Sequence, residues 1–215
     1  MRGVGRRHGR TAALRGVDLE LDAGTVTGLM GPNGAGKSTL LGILSTLMAP
    51  SRGEIALGRH VIRDGRAPSA LRARIGYLGH TSGLYDDLSA LENLAFFARL
   101  AGVGEDAVES RAAQALRSVG LERFGDRRVK HYSRGMVQRL ALGRLIVVGP
   151  RLWLLDEPTT GLDESSVEAL ERLLQDRKEA EDIVLVVSHD APFLARVSDR
   201  IVQLANGRIV SETRP

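Results

Sequence analysis

The chain has 215 residues, enough for one compact domain or one domain with an inserted subdomain. At 43% hydrophobic residues it can build a core, and with no cysteine it has no disulfide framework, zinc–thiolate site or thiol chemistry. A net charge of +4 and a pI of 9.9 invite a nucleic-acid reading, but scattered arginines, only three lysines and 4% aromatic residues argue against one.

The N-terminal MRGVGRRHGR is basic and no apolar stretch follows it, so no signal peptide is expected. VDLEL at 17–21 alternates as a strand does, and Val26 to Met30 predicts a second strand ending in glycine. A helix is expected from about Lys37 to Met48, stopped by Ala49-Pro50. EIALGRHVI predicts a short strand pair. Ile75 to Leu78 predicts another strand, which breaks at Gly79, presents His80 and runs through a Ser-Gly turn to Ser89. Glu92 stands three residues after Ser89, the spacing of a capping box. From Ser89 to Gly120 the pattern is helical, with a break at Gly102 to Gly104. Arg151 to Leu155, Ile183 to Ser188 and Ile201 to Leu204 read as buried strands, and Asn206-Gly207 predicts a type I′ hairpin into RIVSE. The order predicts an α/β fold, a largely parallel sheet with helices on both faces, and an all-helical insertion over about 85–130. The richest apolar stretch, LALGRLIVVG, is interrupted by Arg144. No run approaches the ~18 to 20 residues that span a bilayer, so the chain is not expected to cross one itself.

GPNGAGKST at 31–39 satisfies G-x-x-x-x-G-K-[ST] between a strand and a helix. Backbone N–H groups along Gly31, Pro32, Asn33, Gly34, Ala35 and Gly36 can turn around a polyphosphate; proline contributes only its carbonyl. Lys37 can reach the β- and γ-phosphates, Ser38 can ligate Mg²⁺, and Thr39 continues the helix start. Such a loop needs an acidic group for the metal and a group that orients water. RLWLLDEPTTGLD supplies Asp156 for the first and Glu157 for the second, with Pro158 stopping the strand. IVLVV ends in Ser188-His189-Asp190, and sheet logic brings its C-terminal end to the same crevice, where His189 can touch the γ-phosphate or the water.

Together these segments resemble the ATP-binding subunit of ATP-binding-cassette (ABC) transporters over nearly the whole chain. GPNGAGKST looks like the Walker A loop, LLDEP like Walker B, and TTGLD, ending in Asp163, like the D-loop. His189 matches the switch histidine. YSRGMVQRLALGR at 132–144 stands at the signature motif, with YSRGM where the family usually has LSGGQ. Ser133 and Gly135 remain, Arg134 replaces a glycine and Met136 removes an amide. The resemblance implies a P-loop NTPase with a RecA-like core, an N-terminal antiparallel β-subdomain and an inserted helical subdomain. The single ATPase domain would span 1–215, with core and β-subdomain at about 1–84 and 131–215 and the helical part at about 85–130.

It further implies ATP and Mg²⁺, two cassettes closing head to tail on two ATPs, separate transmembrane permease subunits, and a peripheral place on the cytoplasmic face of the cell membrane. Ser133, Gly135 and Asp163 would then contact nucleotide across the pair. His80 falls where the family has its Q-loop glutamine, near the metal and the attacking water. His8, before Gly9, falls where an aromatic residue stacks on adenine. The first strand, expected before His8, is missing or very short, which implies a start upstream of Met1. Gly-His followed by Gly-Leu-Tyr and LSALENL looks like the ATPase of the haem exporter of cytochrome c maturation. The same features leave open another small-substrate exporter, a soluble non-transport ABC ATPase, or a cassette that binds without hydrolysing.

Overall fold

The computed structural model describes residues 1–62 and 65–214. β1 (Arg2–His8) turns through Gly9 and Arg10 into β2 (Thr11–Val17), and β3 (Thr25–Met30) leads to α1 (Lys37–Leu44). β4 (Arg52–Leu57) and β5 (His60–Ile62) make a hairpin, followed by the single-turn α2 (Ser69–Arg72) and β6 (Ile75–Leu78). α3 (Ala90–Leu100), α4 (Glu105–Ser118) and α5 (Arg134–Val148) come next. The chain finishes with β7 (Leu152–Asp156), α6 (Glu164–Glu179), β8 (Ile183–Val187), α7 (Ala191–Val197), β9 (Arg200–Ala205) and β10 (Arg208–Thr213).

Two sheets form. The six-stranded one runs β10-β9-β3-β8-β7-β6, parallel throughout except for β10, which pairs antiparallel with β9. Its central strands are buried on both faces, which is why they read as unbroken aliphatic runs. Trp153, Leu155, Val184 and Val186 pack on the face carrying α3 to α6, whereas Leu152, Leu154, Leu185 and Val187 pack on the face carrying α1. The four-stranded antiparallel sheet, β2-β1-β4-β5, adds Val4, Leu14, Val17 and Ile55 to that second core.

The N-terminal expectations need correction. β1 is a full strand of seven residues, paired with β2 on one side and β4 on the other. Its sequence, RGVGRRH, hides this because Val4 is its one large buried apolar residue. Arginine stems can lie along the surface while the heads find acceptors, as Arg6 Nη1 does at the Ala49 carbonyl (2.8 Å). VDLEL is not a strand beyond Val17; Met1 and Leu19 exchange backbone hydrogen bonds, and Asp18 accepts from Gly3 N–H at 2.7 Å. α1 stops at Leu44, short of Met48, because Thr46 adopts φ 60 and Met48 N–H turns back to the Gly42 carbonyl.

The helical region follows the expected pattern. Ser89 and Glu92 form both hydrogen bonds of the capping box. Fully buried Asn93 binds the Tyr85 N–H and carbonyl at 2.8 and 3.0 Å, tying the loop after His80 to α3. Asn206 and Gly207 both have positive φ (50 and 75), as a type I′ turn requires.

Candidate active site at the strand ends

Four neighbouring parallel strands, β3, β8, β7 and β6, end at one edge of the sheet. β3 hands over to Gly31–Thr39, β8 to Ser188 and His189, β7 to Glu157, and β6 to Gly79 and His80. Register sets them side by side, since Leu29 and Asp156 both pair with Val187, and Leu78 pairs with Leu155.

Pro32, Asn33 and Gly34 are exposed, while Ala35 is buried and its carbonyl accepts from Gly207 N–H at 3.0 Å. Gly36 has φ 109, and a Cβ there would stand 2.6 Å from the Ala13 carbonyl, so only glycine lets the loop close against β2. Gly36 also caps α1 without a side chain. The N–H groups of Lys37, Ser38 and Thr39 therefore stay available to an anion, as at other helix N-termini. Lys37 is buried, and its Nζ donates to the carbonyls of Gly31 (2.6 Å) and Pro32 (3.1 Å). Ser38 is exposed and Thr39 half-buried.

Asp156 ends a strand whose five residues are all buried. Its Oδ2 is buried without a hydrogen bond, 3.6 Å from His80 Nε2. Burial pushes its carboxyl above the ordinary carboxylate range and the Glu157 charge adds to the rise, opposed by His80, Lys37 and His189. Glu157 has φ 50, a left-handed conformation that costs on the order of 1–3 kcal/mol. Its N–H donates to Val187 O at 2.8 Å and its carbonyl accepts from Thr160 N–H at 3.1 Å, which pins that geometry. Glu157 Oε2 accepts from His189 N–H (3.3 Å) and Ser188 Oγ (3.4 Å), and Oε1 lies 3.4 Å from His189 Nε2. Two carboxylates thus each face one imidazole.

The orphaned Asp156 oxygen and the Ser38 hydroxyl suit Mg²⁺. Among the described residues no three His, Cys, Asp or Glu side chains gather into a metal cage. An ion at this place would take one carboxylate, a hydroxyl and substrate phosphates as ligands. His80 Nε2, 3.6 Å from the Asp156 oxygen, borders that position.

The signature segment is arranged differently. Ser133 is the N-cap of α5 and accepts from Met136 N–H at 3.3 Å. Asp163 is the N-cap of α6, accepting from Ser166 N–H (2.9 Å) and Ser165 Oγ (3.1 Å), which holds its carboxyl below the ordinary range. Gly135 approaches the D-loop of its own chain, where a Cβ would stand 2.6 Å from the Gly161 carbonyl. His8 sits exposed in the β1–β2 hairpin opposite Thr11, and among the described residues no hydrogen bond or ion pair joins it to the phosphate loop.

Sequence reasoning saw Arg144 only as an interruption of an apolar run. It is a half-buried cation whose Nη2 donates to the Tyr77 carbonyl (2.9 Å) and whose guanidinium lies 5.3 Å from the Phe97 ring centre. Burial pushes its pKa down. It joins α5 to the strand that delivers His80; the signal was a lone charge on an otherwise apolar helix stretch.

A glycine loop feeding a helix, a buried carboxylate at the next strand end but one, and a glutamate beside it define a P-loop nucleoside triphosphatase. A family model described as ABC transporter matches residues 14–160. The cytochrome c biogenesis ATP-binding export protein CcmA 2 of Cupriavidus metallidurans is 42% identical over 87% of this chain and 87% of its own length. The daunorubicin resistance ATP-binding protein DrrA3 of Streptomyces coeruleorubidus is 36% identical over 98% of this chain and 66% of its own. A solved dimeric ATP-binding cassette in a post-hydrolysis state with ADP and Pi superposes with a TM-score of 0.88 at 28% identity, over 99% of this chain and 97% of that one. The chain belongs to the ABC transporter family and is its ATP-binding, ATP-hydrolysing component.

Proposed function

We propose that this cassette drives a membrane exporter by Mg²⁺-dependent ATP hydrolysis, and that the exporter is the haem exporter of cytochrome c biogenesis. The observation that carries the mechanism is the pair of strand-end carboxylates, Asp156 and Glu157, each facing a histidine beside the phosphate loop. The phosphate loop, Gly31 to Thr39, binds the phosphates, with Lys37 on the β- and γ-groups. Ser38 and Asp156 would hold Mg²⁺, which would supply neutralisation of phosphate charge. Glu157 takes a proton from the attacking water, and His189 holds Glu157 and the γ-phosphate side of the site. His80, 3.6 Å from Asp156, would position the attacking water and support the metal's ligands from the β6 side. Ser133, Gly135 and Asp163 reach the nucleotide of a second copy in a head-to-tail pair, and His8 stacks on adenine. The domain is one unit, its helical part spanning about 85–130 and facing transmembrane permease subunits at the cytoplasmic face.

The haem-exporter reading is supported by His80 in its Gly-His context and by the 42% identity to the cytochrome c biogenesis protein. A drug-efflux role has its own support in the DrrA3 relative, which aligns over 98% of this chain. Purification from native membranes in mild detergent, with mass spectrometry of co-purifying proteins, separates them. Recovery with cytochrome c maturation membrane subunits supports the first. Recovery with another permease keeps the ATPase mechanism and discards the haem exporter, and recovery with ribosomes or DNA alone discards the transporter.

A further inference from the structure

At the opposite edge of the six-stranded sheet, where β6, β7 and β8 begin, lies a cavity of 410 Å³. Its floor is Ile75, Leu152 and Ile183, the first residues of those three strands, paired in register across the sheet. Its roof comes from the β4–β5 turn and from α2, through Leu57 and Leu71. The charged residues lining it are Arg59, Arg74 and Arg151, with His60 beside them, and among the described residues no carboxylate lines it. Arg151 is already engaged, with Asp182 at 3.1 Å and the Ala180 carbonyl at 3.2 Å. Arg59 and Arg74 have no ion-pair partner among the described residues. A neighbouring cavity shares Leu57, Leu152 and Ile183, and there Asp18, Glu20, Glu54 and Glu212 stand among Arg2, Arg200 and the N-terminal Met1. Carboxylates line the neighbouring cavity, whereas the charged side chains described around this one are all arginines, so an anion is favoured on the side of Arg59 and Arg74.

We propose that this cavity binds a small amphiphilic anion, an apolar body lying on Ile75, Leu152 and Ile183 with a carboxylate held by Arg59 and Arg74. Apolar lining with a few convergent polar groups is the usual composition of a ligand site, and two guanidinium forks match a carboxylate. The site lies at the strand starts, away from the nucleotide edge, so the proposal stands independently of the exporter's identity.

The test is calorimetric titration of the full chain with dodecanoate below its micelle concentration, against dodecyltrimethylammonium as the cationic match. Saturable binding of dodecanoate is expected, weakened about tenfold or more by Arg59→Gln with Arg74→Gln and at least as weak for the cationic probe. ATP hydrolysis at the wild-type rate in the double variant reports that it is folded. A second variant, Leu71→Glu, puts a like charge under the roof and should also abolish binding. No saturable binding to the wild type overturns the proposal. So does equal affinity in the Arg59/Arg74 variant, or equal affinity for the cationic probe, which leaves non-specific apolar adsorption.

Discussion

The strand-end cluster and the signature segment both offer polar groups to a nucleotide, yet they keep those groups in opposite states. At the strand ends Asp156 Oδ2 and Glu157 Oε1 are the carboxylate oxygens buried without a hydrogen bond among the described residues, and they belong to adjacent residues. In the signature segment and the D-loop beside it, Ser133 and Asp163 are spent on capping α5 and α6, and Gln138 Nε2 donates to the Pro158 carbonyl at 3.0 Å. Leaving a buried acceptor unpaired costs about 1–3 kcal/mol, so two side by side are a local cost to the fold. The signature segment stabilises its own helix starts and needs no ligand to do so. One region gives up stability at its strand ends, and the other supplies it through its helix caps.

The sharpest way to break that comparison is Glu157→Gln. Removing the base should slow ATP turnover by roughly 10²- to 10⁴-fold while leaving nucleotide binding intact, read by steady-state phosphate release and equilibrium binding. Turnover at the wild-type rate would remove Glu157 from the chemistry. Lys37→Ala should weaken ATP binding by about 10- to 100-fold, the worth of a charge-assisted phosphate contact. Unchanged affinity would detach the loop from phosphate recognition. Gly135→Ala probes the other region. The added Cβ meets the Gly161 carbonyl, and such overpacking costs about 1–3 kcal/mol. Thermal denaturation of the nucleotide-free chain should fall by several degrees; an unchanged midpoint would mean that Gly135 serves only a partner's nucleotide.

The strand-end cluster was largely legible because its parts are local. Gly36, Lys37 and Ser38 lie in one loop, Asp156 and Glu157 are consecutive, and parallel-strand logic adds His189 without knowledge of side-chain contacts. His80 was placed at a strand end by Gly79, and its 3.6 Å approach to Asp156 follows from β6 pairing with β7. What escaped was non-local. β1 is a strand because β2 and β4 pair with it, not because RGVGRRH alternates. Gly135 looked free for a ligand until the fold brought Gly161 against it, and Arg144 found its acceptor in a strand 67 residues away.

Asp156→Asn measures what the unpaired oxygen costs. The Asp156 carboxyl has a folded-state pKa above its unfolded value, so between those values the native state binds more protons than the unfolded state. Stability from this group is therefore full below the unfolded pKa and is lost as pH rises through the folded one. At neutral pH, without Mg²⁺, the charged and buried carboxylate destabilises the chain, and the amide should raise stability by about 1 kcal/mol, or a melting midpoint by roughly 2–4 °C. Melting curves from pH 4 to 7 in chelator should show wild type and variant diverging upward with pH, the variant on top, and Mg²⁺ with ATP should narrow the gap by stabilising the wild type more than the variant. Parallel curves would mean that His80 already neutralises Asp156, which would move the histidine from positioning the metal shell to serving as the carboxylate's permanent partner.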